Sequence, residues 1–580
     1  MSAQSEAIVT AGLKPELFAG RGVLSASRTL IFAALTVLIL AGFGFRVTGL
    51  SAEGLSEDEL NKLNAVADYR AHGLTGANGE HPMLMKALQA CSIIAAEKWN
   101  NSSFVTAHPA ESITPETALR VPGTIFGAFT ALLIYLITAE LFGAEVALIA
   151  AALWAFDPSA IGFSRVAKED TFLLFFFLLA NVFWLRGQRV AESTDKSPNR
   201  YYWLTGAAYG AMIASKYVPH LLGISMSYYW MFQKLPETRW RLGTKRIFKF
   251  FVIMGIVFLI LSPTILLPET WRQMGLFAGS KRISHDGYEF MGTIYTQHFD
   301  DWFWGIPVYF YAVFTLVKLP VMTVIGFLIG LPLLFRRKLG DGRYFLIFWL
   351  YLWVIAFCIP GGKFTRYYTT VAPAVLITSA LGIQFAGRWL AKRISTFAAG
   401  VRHYVPATLA VVAITTSVVA SIHAAPHFRL FMNSFGGGVA KAGSYFPHDE
   451  FYDASMRDTI VEIAQRAQPG AKIASESPLL ASYYAQRVNR ADLVCVSLSD
   501  PDGLKQLNAG DFVIVARGRR YFSNDALVTA LAAGAKPDFQ MFLNTVPSVN
   551  IYRLNDSTLG MIRSAAQARA AAKGLTISKS

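Results

Sequence analysis

Apolar runs about as long as a bilayer is thick recur through this chain and constrain its fold more than any other feature. A helix needs about 20 consecutive apolar residues to cross a bilayer, and the 580-residue chain is 53% hydrophobic and only 16% charged. We predict about eleven transmembrane helices, at 29–49, 121–141, 144–161, 170–185, 201–215, 217–232, 249–267, 319–335, 344–360, 367–386 and 405–424. The chain is therefore expected to be a polytopic α-helical membrane protein.

The basic residues sort to one side of these spans. A formal charge of +15 is compatible with a nucleic-acid partner, but basic residues at cytoplasmic span ends give the same total. With a cytoplasmic N-terminus, alternate loops hold Arg186, Arg189 and Arg200; Lys234, Arg239, Arg241, Lys245 and Arg246; Arg336, Arg337 and Lys338; and Arg388, Lys392, Arg393 and Arg402. This sorting follows the positive-inside rule, so we expect a multi-pass protein of the plasma (inner) membrane and no nucleic-acid partner.

The composition changes near residue 425. Helix-like runs alternate there with short strand-like runs, which indicates a small α/β domain; it has neither a P-loop nor a GxGxxG motif. We divide the chain into a cytoplasmic N-terminal tail (1–28), a transmembrane catalytic domain (29–424) with its first external loop at 50–119, an external, periplasmic α/β domain (425–556) and a tail (557–580) that is a loose helix or disordered.

The first external loop contains an acidic stretch, Ser56 to Leu88, around which we expect an active site. Glu57, Asp58 and Glu59 lie directly after the first span. Ser56 and Glu59 also fit a capping box, whose only role would be to start a helix. Capping explains Asp58 less well, so Asp58 is the favoured functional carboxylate.

Two further polar residues of this loop, Glu80 and His81, precede a helix expected to begin at Pro82. That helix would return both side chains to the rim of the membrane near Asp58. We interpret His81 as a positioning residue rather than a metal ligand.

A second candidate stretch, Ser164 to Asp170, ends where the fourth span begins. Asp170 could simply start that helix. An ionisable group held at the membrane surface is costly and is a functional candidate by default, and this second interpretation is the favoured one.

Five basic residues lie at predicted external span ends, where the positive-inside bias should remove them. Each could snorkel towards lipid headgroups, but together with the nearby carboxylates they indicate an anion cradle. The natural anion at this face is a lipid phosphate. The five residues are Arg120, Arg165, Lys216, Lys363 and Arg366.

The loop from Lys281 to Tyr295 adds His285, Asp286 and Tyr288. A two-residue metal site is conceivable there but lacks further ligands, so an ordinary loop turn is favoured. The three cysteines lie far apart and predict neither a disulfide framework nor a zinc site.

In combination these motifs resemble the GT-C polyprenyl-phosphate glycosyltransferases of family 39, the protein O-mannosyltransferase relatives, with similarity to the lipid A aminoarabinose transferases. The matching residues are Asp58 and Glu59; His81, Pro82 and Lys86; Arg120; Ser164 and Arg165 ahead of Asp170; Ser215, Lys216 and Tyr217; and Lys363, Arg366, Tyr367 and Pro373. Met83 replaces the second proline of the family's His-Pro-Pro pattern. The loop at 268–318 is short, as in a prokaryotic type, and the soluble domain after the last span is more like the aminoarabinose transferases.

The resemblance implies a GT-C fold and transfer of a mannose-like hexose from a polyprenyl-phosphate donor, with inversion, at the external face. It implies Asp58 as general base, assisted by Glu59 and Asp170, and the five basic residues as the donor phosphate site. Glu80, His81, His285 and Tyr288 would position sugar or acceptor. We predict no metal ligands and no cofactor beyond the donor, and we leave a need for a divalent metal open.

The acceptor is expected to be a protein Ser/Thr hydroxyl; lipid A or another envelope glycan is the alternative. A lipid or sugar flippase is a second alternative, which predicts ionisable residues in mid-span. A membrane-anchored binding protein is a third, but it leaves the acidic first loop unexplained.

Overall fold

The computed structural model describes residues 28–193, 196–233, 243–279, 285–394 and 402–577. Most of the predicted N-terminal tail and the loop residues Lys234, Arg239 and Arg241 lie outside these ranges.

The helices before residue 425 form the membrane part and the loops that connect its spans. In chain order they are α1 (Arg28–Val47), α2 (Glu57–His72), α3 (Met83–Asn100), α4 (Ser103–Ala107), α5 (Pro115–Phe142), α6 (Ala144–Phe156), α7 (Pro158–Ser164), α8 (Asp170–Ser193), α9 (Asn199–Ser215), α10 (Leu222–Gln233), α11 (Gly243–Leu261), α12 (Pro268–Gly279), α13 (Phe310–Lys318), α14 (Val321–Leu333), α15 (Gly342–Cys358), α16 (Ala372–Ile394) and α17 (Val405–Ala424). A two-stranded antiparallel hairpin, β1 (Tyr288–Phe290) and β2 (Thr293–Tyr295), lies between α12 and α13.

Each of the eleven predicted spans overlaps one of these helices or, at 144–161, the pair α6 and α7. Among the described residues, α1, α5, α8, α16 and α17 are long and apolar enough to cross a bilayer, and α6 with α7 would make a sixth span. The remaining helices are shorter or more charged. The polytopic helical fold is confirmed, and the total of eleven spans stays a prediction.

The pair α6 and α7 bends by 59° at Asp157. Asp157 caps α7 by accepting a hydrogen bond from the Ala160 amide at 2.8 Å. The bend leaves carbonyl groups at the end of α6 without helical donors, and Arg46 of α1 donates to those of Trp154 at 3.1 Å and Ala155 at 3.0 Å. Buried backbone groups require such partners, so α1 supports the bend.

The loop between α1 and α5 begins its helices where the sequence predicts. Ser56 and Glu59 form the capping box at the start of α2, with both reciprocal hydrogen bonds present. Pro82 stands at the start of α3. The capping box fixes the first turn of α2, which carries Asp58.

After α17 the chain forms an α/β unit, in agreement with the predicted fold class. Its elements are α18 (Pro447–Phe451), α19 (Met456–Arg466), β3 (Lys472–Ser475), α20 (Pro478–Arg487), β4 (Val494–Ser497), α21 (Pro501–Lys505), β5 (Phe512–Ala516), α22 (Asp525–Gly534), β6 (Phe539–Leu543), β7 (Val546–Arg553) and α23 (Asp556–Ile577). The strand order is β4-β3-β5-β7-β6; β3 is parallel to β4 and β5, and β7 is antiparallel to β5 and β6.

The α/β unit packs directly on the loop between α1 and α5. Leu55 and Leu60, at the start of α2, share one buried apolar cluster with Ile460, Ile473 and Leu480 of the C-terminal unit. Burial of each such side chain stabilises the folded state by about 1.5–3 kcal/mol. This contact holds the N-terminal end of α2 between the membrane helices and the C-terminal unit.

Candidate active site

Asp58 lies at the centre of a cluster built from four separate parts of the chain. Its Oδ2 is 2.5 Å from the Lys168 ammonium and 3.8 Å from the Arg366 guanidinium. The same oxygen accepts a hydrogen bond from the Tyr452 hydroxyl. The Asp58 side chain is 37% exposed, compared with 6% for Lys168 and 17% for Arg366, so it is the member of the cluster most accessible to a substrate.

The charges of this cluster fix the protonation of Asp58. Burial disfavours the ionised carboxylate, but the Lys168 and Arg366 charges outweigh that effect and hold the pKa of Asp58 well below its usual value. Burial and the neighbouring carboxylate raise the pKa of Tyr452 well above its usual value. At neutral pH, Asp58 is therefore ionised and Tyr452 remains a hydrogen-bond donor.

A second ion pair adjoins the first. Lys216, which follows the last residue of α9, lies 2.6 Å from Asp170 at the start of α8. The Arg366 Nε is 4.0 Å from the other Asp170 oxygen, so Arg366 stands between Asp58 and Asp170. Lys168, Asp170, Arg366 and Tyr452 line one narrow cavity.

Glu59 and Arg120, both predicted as site residues, form an ion pair with each other. Arg120 donates Nε and NH2 to the two Glu59 oxygens at 2.8 and 2.7 Å, and Glu59 also accepts from the Ala167 amide at 2.9 Å. Both side chains are almost fully buried. The pair ties α2, α5 and the segment before α8 together, and Glu59 follows Asp58 directly in α2.

His81 belongs to a neighbouring buried cluster around Glu169. The Glu169 Oε1 lies 2.7 Å from the Lys62 ammonium and 3.4 Å from the His81 Nδ1. Burial, together with the Lys62 charge, holds the pKa of His81 well below its usual value, so the ring is neutral. Glu80 accepts a hydrogen bond from the Asn78 side-chain amide.

Arg165 is bonded to backbone. Its guanidinium donates to the carbonyls of Arg46 at 3.0 Å, Thr48 at 2.6 Å and Gly49 at 2.7 Å. It therefore satisfies carbonyls at the end of α1.

Lys363 is also bonded to backbone. Its ammonium is buried and donates to the carbonyls of Ile306 at 2.7 Å and Pro360. Burial lowers its pKa to about 8. Of the five predicted phosphate ligands, Lys216 and Arg366 stand beside Asp58 and Asp170, whereas Arg120, Arg165 and Lys363 hold the surrounding backbone or Glu59.

His285 and Tyr288 contact the C-terminal unit. The His285 Nε2 lies 2.8 Å from the Arg519 NH1, and its ring stacks on Tyr521 at 4.2 Å. The Tyr288 hydroxyl donates to Asp449 at 2.6 Å. These contacts fasten the loop before α13 to the C-terminal unit.

Across the described ranges, no group of three or more His, Cys, Asp or Glu residues is arranged to hold a metal ion. In those ranges, His285 and Asp286 therefore do not form part of a larger group of potential metal ligands.

Two members of the central cluster, Lys168 and Tyr452, are not among the residues singled out from the sequence. Lys168 lies two residues before Asp170, in the stretch that contains both Arg165 and Asp170. Its position in that stretch could have identified it as a candidate site residue. Tyr452 lies in the C-terminal unit, and nothing local in its sequence points to Asp58.

Residues 112–266 match a family model described as dolichyl-phosphate-mannose-protein mannosyltransferase. The matched segment contains Arg120, Asp170 and Lys216 but neither Asp58 nor Arg366. It supports the predicted resemblance for this part of the chain. A comparison with curated protein sequences gives no match.

Among solved structures, the oligosaccharyltransferase of Archaeoglobus fulgidus, tethered with an acceptor peptide, is 12% identical with a TM-score of 0.50 over 84% of this chain and 69% of that chain. ArnT from Cupriavidus metallidurans bound to undecaprenyl phosphate is 14% identical with a TM-score of 0.49 over 92% of this chain and 99% of that chain. At such identities the archaeal structure indicates a shared fold over most of the chain.

Proposed function

We propose that this chain, a multi-pass membrane protein with the fold of the GT-C glycosyltransferases, transfers a hexose from a polyprenyl-phosphate donor to an acceptor hydroxyl, with Asp58 as the base. The observation that carries the proposal is the partly exposed, ionised Asp58 carboxylate, which lies between Lys168 and Arg366 beside the Asp170 and Lys216 pair.

The reaction needs a proton acceptor next to a phosphate site. The acceptor oxygen attacks the anomeric carbon with inversion, the bond from that carbon to the phosphate oxygen breaks, and the acceptor proton passes to Asp58. The polyprenyl phosphate leaves with the bonding electrons. A well-placed base contributes about a hundred- to ten-thousandfold in rate, and fixed positive charge stabilises the departing phosphate.

Arg366 and Lys216 are the proposed phosphate ligands. The contacts from Arg366 to Asp58 and Asp170 are 3.8 and 4.0 Å, longer than charge-assisted hydrogen bonds, which are about 2.7–2.9 Å. Its planar fork can therefore turn towards a phosphate and bind two of its oxygens. Glu59 and Arg120 hold the backbone around Asp58.

Donor binding would also tune the base. A carboxylate whose pKa is held far below neutrality is a weak proton acceptor. A phosphate that draws the charge of Arg366 away from Asp58 weakens one cause of the low pKa, so the base gains strength when the donor is in place.

The hexose is proposed as mannose and the acceptor as a protein, because the description of the family matching residues 112–266 names mannose and protein. A Ser or Thr side chain would supply the acceptor hydroxyl. Lipid A is the second candidate, favoured by the α/β unit that follows the last membrane helix. We place the reaction at the external face of the plasma membrane because the basic loops sort to the opposite side. A need for a divalent metal stays open.

The test is transfer by the purified full chain in liposomes, with polyprenyl-phosphate mannose as donor and either a Ser/Thr peptide or lipid A as acceptor. Asp58→Asn should lower kcat by at least about a hundredfold with donor binding retained. Asp68→Asn, on the exposed part of α2, is the matched control and should transfer normally. Full activity of Asp58→Asn would refute the assignment, and movement of donor across the bilayer without transfer would favour a flippase.

A further inference from the structure

Two buried oxygens in the narrow cavity beside Asp58 have no hydrogen-bond partner among the residues that the structure describes. They are the Oδ2 of Asp170 and the Oγ1 of Thr369, and both residues are only 3% exposed. The other Asp170 oxygen lies 2.6 Å from the Lys216 ammonium. Buried polar atoms normally have partners because leaving them without one is costly. The two oxygens therefore indicate where the polar groups of a ligand would bind.

The backbone places Thr369 on the same face as Arg366. Thr365–Thr370 form a 3₁₀ helix, in which side chains three positions apart eclipse each other. Thr369 follows Arg366 by three positions, and both side chains line the cavity. Asp449 anchors the start of this helix by accepting a hydrogen bond from the Thr365 amide at 2.9 Å. Thr369 is thus held in place by local structure.

Most other charged and hydroxyl groups of this cavity already have partners within the protein. The pairs are Lys168 and Tyr452 with Asp58, Arg429 with Glu53, and Asp449 with the Tyr288 hydroxyl. Arg366 keeps only long contacts to two carboxylates and is the proposed ligand of the donor phosphate. Asp170 and Thr369 therefore remain for the part of the donor next to the phosphate, which is the sugar.

The two oxygens together favour a sugar hydroxyl over a phosphate. A carboxylate only accepts hydrogen bonds, whereas a threonine hydroxyl both donates and accepts them. The oxygens of a phosphodiester are acceptors, so they could bind Thr369 but not the Asp170 Oδ2. A sugar hydroxyl donates and accepts, and it can satisfy both residues.

We propose that Asp170 and Thr369 bind the transferred hexose, with one sugar hydroxyl donating to the Asp170 Oδ2 and Thr369 bonded to the same or the neighbouring hydroxyl. This inference rests on the proposed function and adds the residues that select the sugar. Because the cavity is narrow, one edge of the sugar ring enters it. A site that binds a substrate hydroxyl in this way rejects an analogue that lacks it.

The test measures binding to the purified full chain in detergent, so that it does not depend on transfer. Native mass spectrometry compares polyprenyl-phosphate mannose, a set of monodeoxy analogues that each lack one ring hydroxyl, and polyprenyl phosphate without sugar. The mannosyl lipid should bind more tightly than polyprenyl phosphate. At least one deoxy analogue should bind about ten- to a hundredfold more weakly than the parent, the value of a hydrogen bond to a charged group.

The variant Thr369→Val removes the hydroxyl at nearly constant volume. It should weaken binding of the mannosyl lipid about fivefold, the value of a neutral hydrogen bond, and leave the affinity for polyprenyl phosphate unchanged. Thr138→Val is the matched control and should change neither affinity. It removes another buried hydroxyl that has no partner among the described residues, near the end of α5 remote from Arg120.

Three results would overturn the proposal. They are equal binding of the parent and all deoxy analogues, unchanged mannosyl-lipid binding in Thr369→Val, and an equal loss for the mannosyl lipid and polyprenyl phosphate in that variant, which would make Thr369 a phosphate ligand. Failure of the proposed function is a separate result. In that case the binding differences would appear as expected, but the wild-type chain would transfer no sugar in liposomes.

Discussion

The hydroxyl of Tyr452 donates a hydrogen bond to the Asp58 carboxylate and links the C-terminal unit to the centre of the candidate active site. Tyr452 and the next residue, Asp453, both have left-handed backbone conformations, with φ of 44° and 61°. Such conformations cost free energy and persist where the surroundings impose them; here Arg519 donates Nε to Asp453 at 2.7 Å. The C-terminal unit is thereby part of the site.

Tyr452→Phe should move the acid limb of the pH profile of kcat upward by about one to two units, since a hydrogen bond to a charged group is worth about 1.5–3 kcal/mol. The bond lowers the pKa of Asp58, so its loss raises that pKa. The measurement is the pH dependence of transfer, with Tyr483→Phe as control. If Tyr452→Phe lowers the thermal stability but leaves the pH profile of kcat unchanged, the role of Tyr452 is structural only.

Lys168→Met should shift the acid limb further. In the wild type the folded-state pKa of Asp58 lies well below its usual value, so activity should be flat from neutral to mildly acidic pH. Removing a cation 2.5 Å away should raise that pKa by about one to three units, and activity should then fall as pH drops through the raised value. Lys168→Arg should restore the wild-type profile; a profile identical in Lys168→Met and wild type would contradict this electrostatic account.

Glu59→Gln should destabilise the protein by about 3–5 kcal/mol, because it leaves the buried Arg120 guanidinium without its counter-charge. The readout is the apparent Tm in detergent. Glu97→Gln removes an exposed partner of Arg70, both side chains being nearly half exposed, and should cost less than about 1 kcal/mol. Equal losses in the two variants would be inconsistent with a structural role for the Glu59 pair.

Arg366→Gln should raise the donor KM by about ten- to a hundredfold, the value of a charge-assisted hydrogen bond. Lys363→Met should lower stability and leave the donor KM unchanged, since the Lys363 ammonium is bonded to carbonyl oxygens. Donor titrations of both variants separate the two basic residues. A similar rise in the donor KM for both variants would indicate that Lys363 also binds the donor phosphate.

Features set by local sequence could be predicted. The capping box of α2 depends on two residues three positions apart, and β3, β4 and β5 are short apolar runs between turn residues. The paired strands β6 and β7 are harder to recognise, because Pro547 and alternating exposed residues interrupt their apolar pattern. A membrane helix is likewise recognisable from its own length and composition.

The partners of Asp58 could not be predicted in the same way. Lys168, Arg366 and Tyr452 reach it from distant parts of the chain, and only tertiary packing brings them together. The sequence motifs predict different roles for Arg120 and Glu59, phosphate binding and catalysis. A motif does not show which of its charged side chains form ion pairs with each other. In the folded chain their two charges neutralise each other.

The hydrogen bonds from Arg46 to the end of α6 bear on how the protein assembles in the bilayer. Burying a carbonyl group in hydrocarbon without a hydrogen-bond donor costs several kcal/mol of free energy. The bent conformation of α6 and α7 therefore depends on the hydrogen bonds that Arg46 donates. Because α1 is synthesised before this segment, its guanidinium is in place when the segment enters the membrane. An unrelated hydrophobic anchor in place of α1 would hold the chain in the bilayer and still leave the segment leading to Lys168 misfolded.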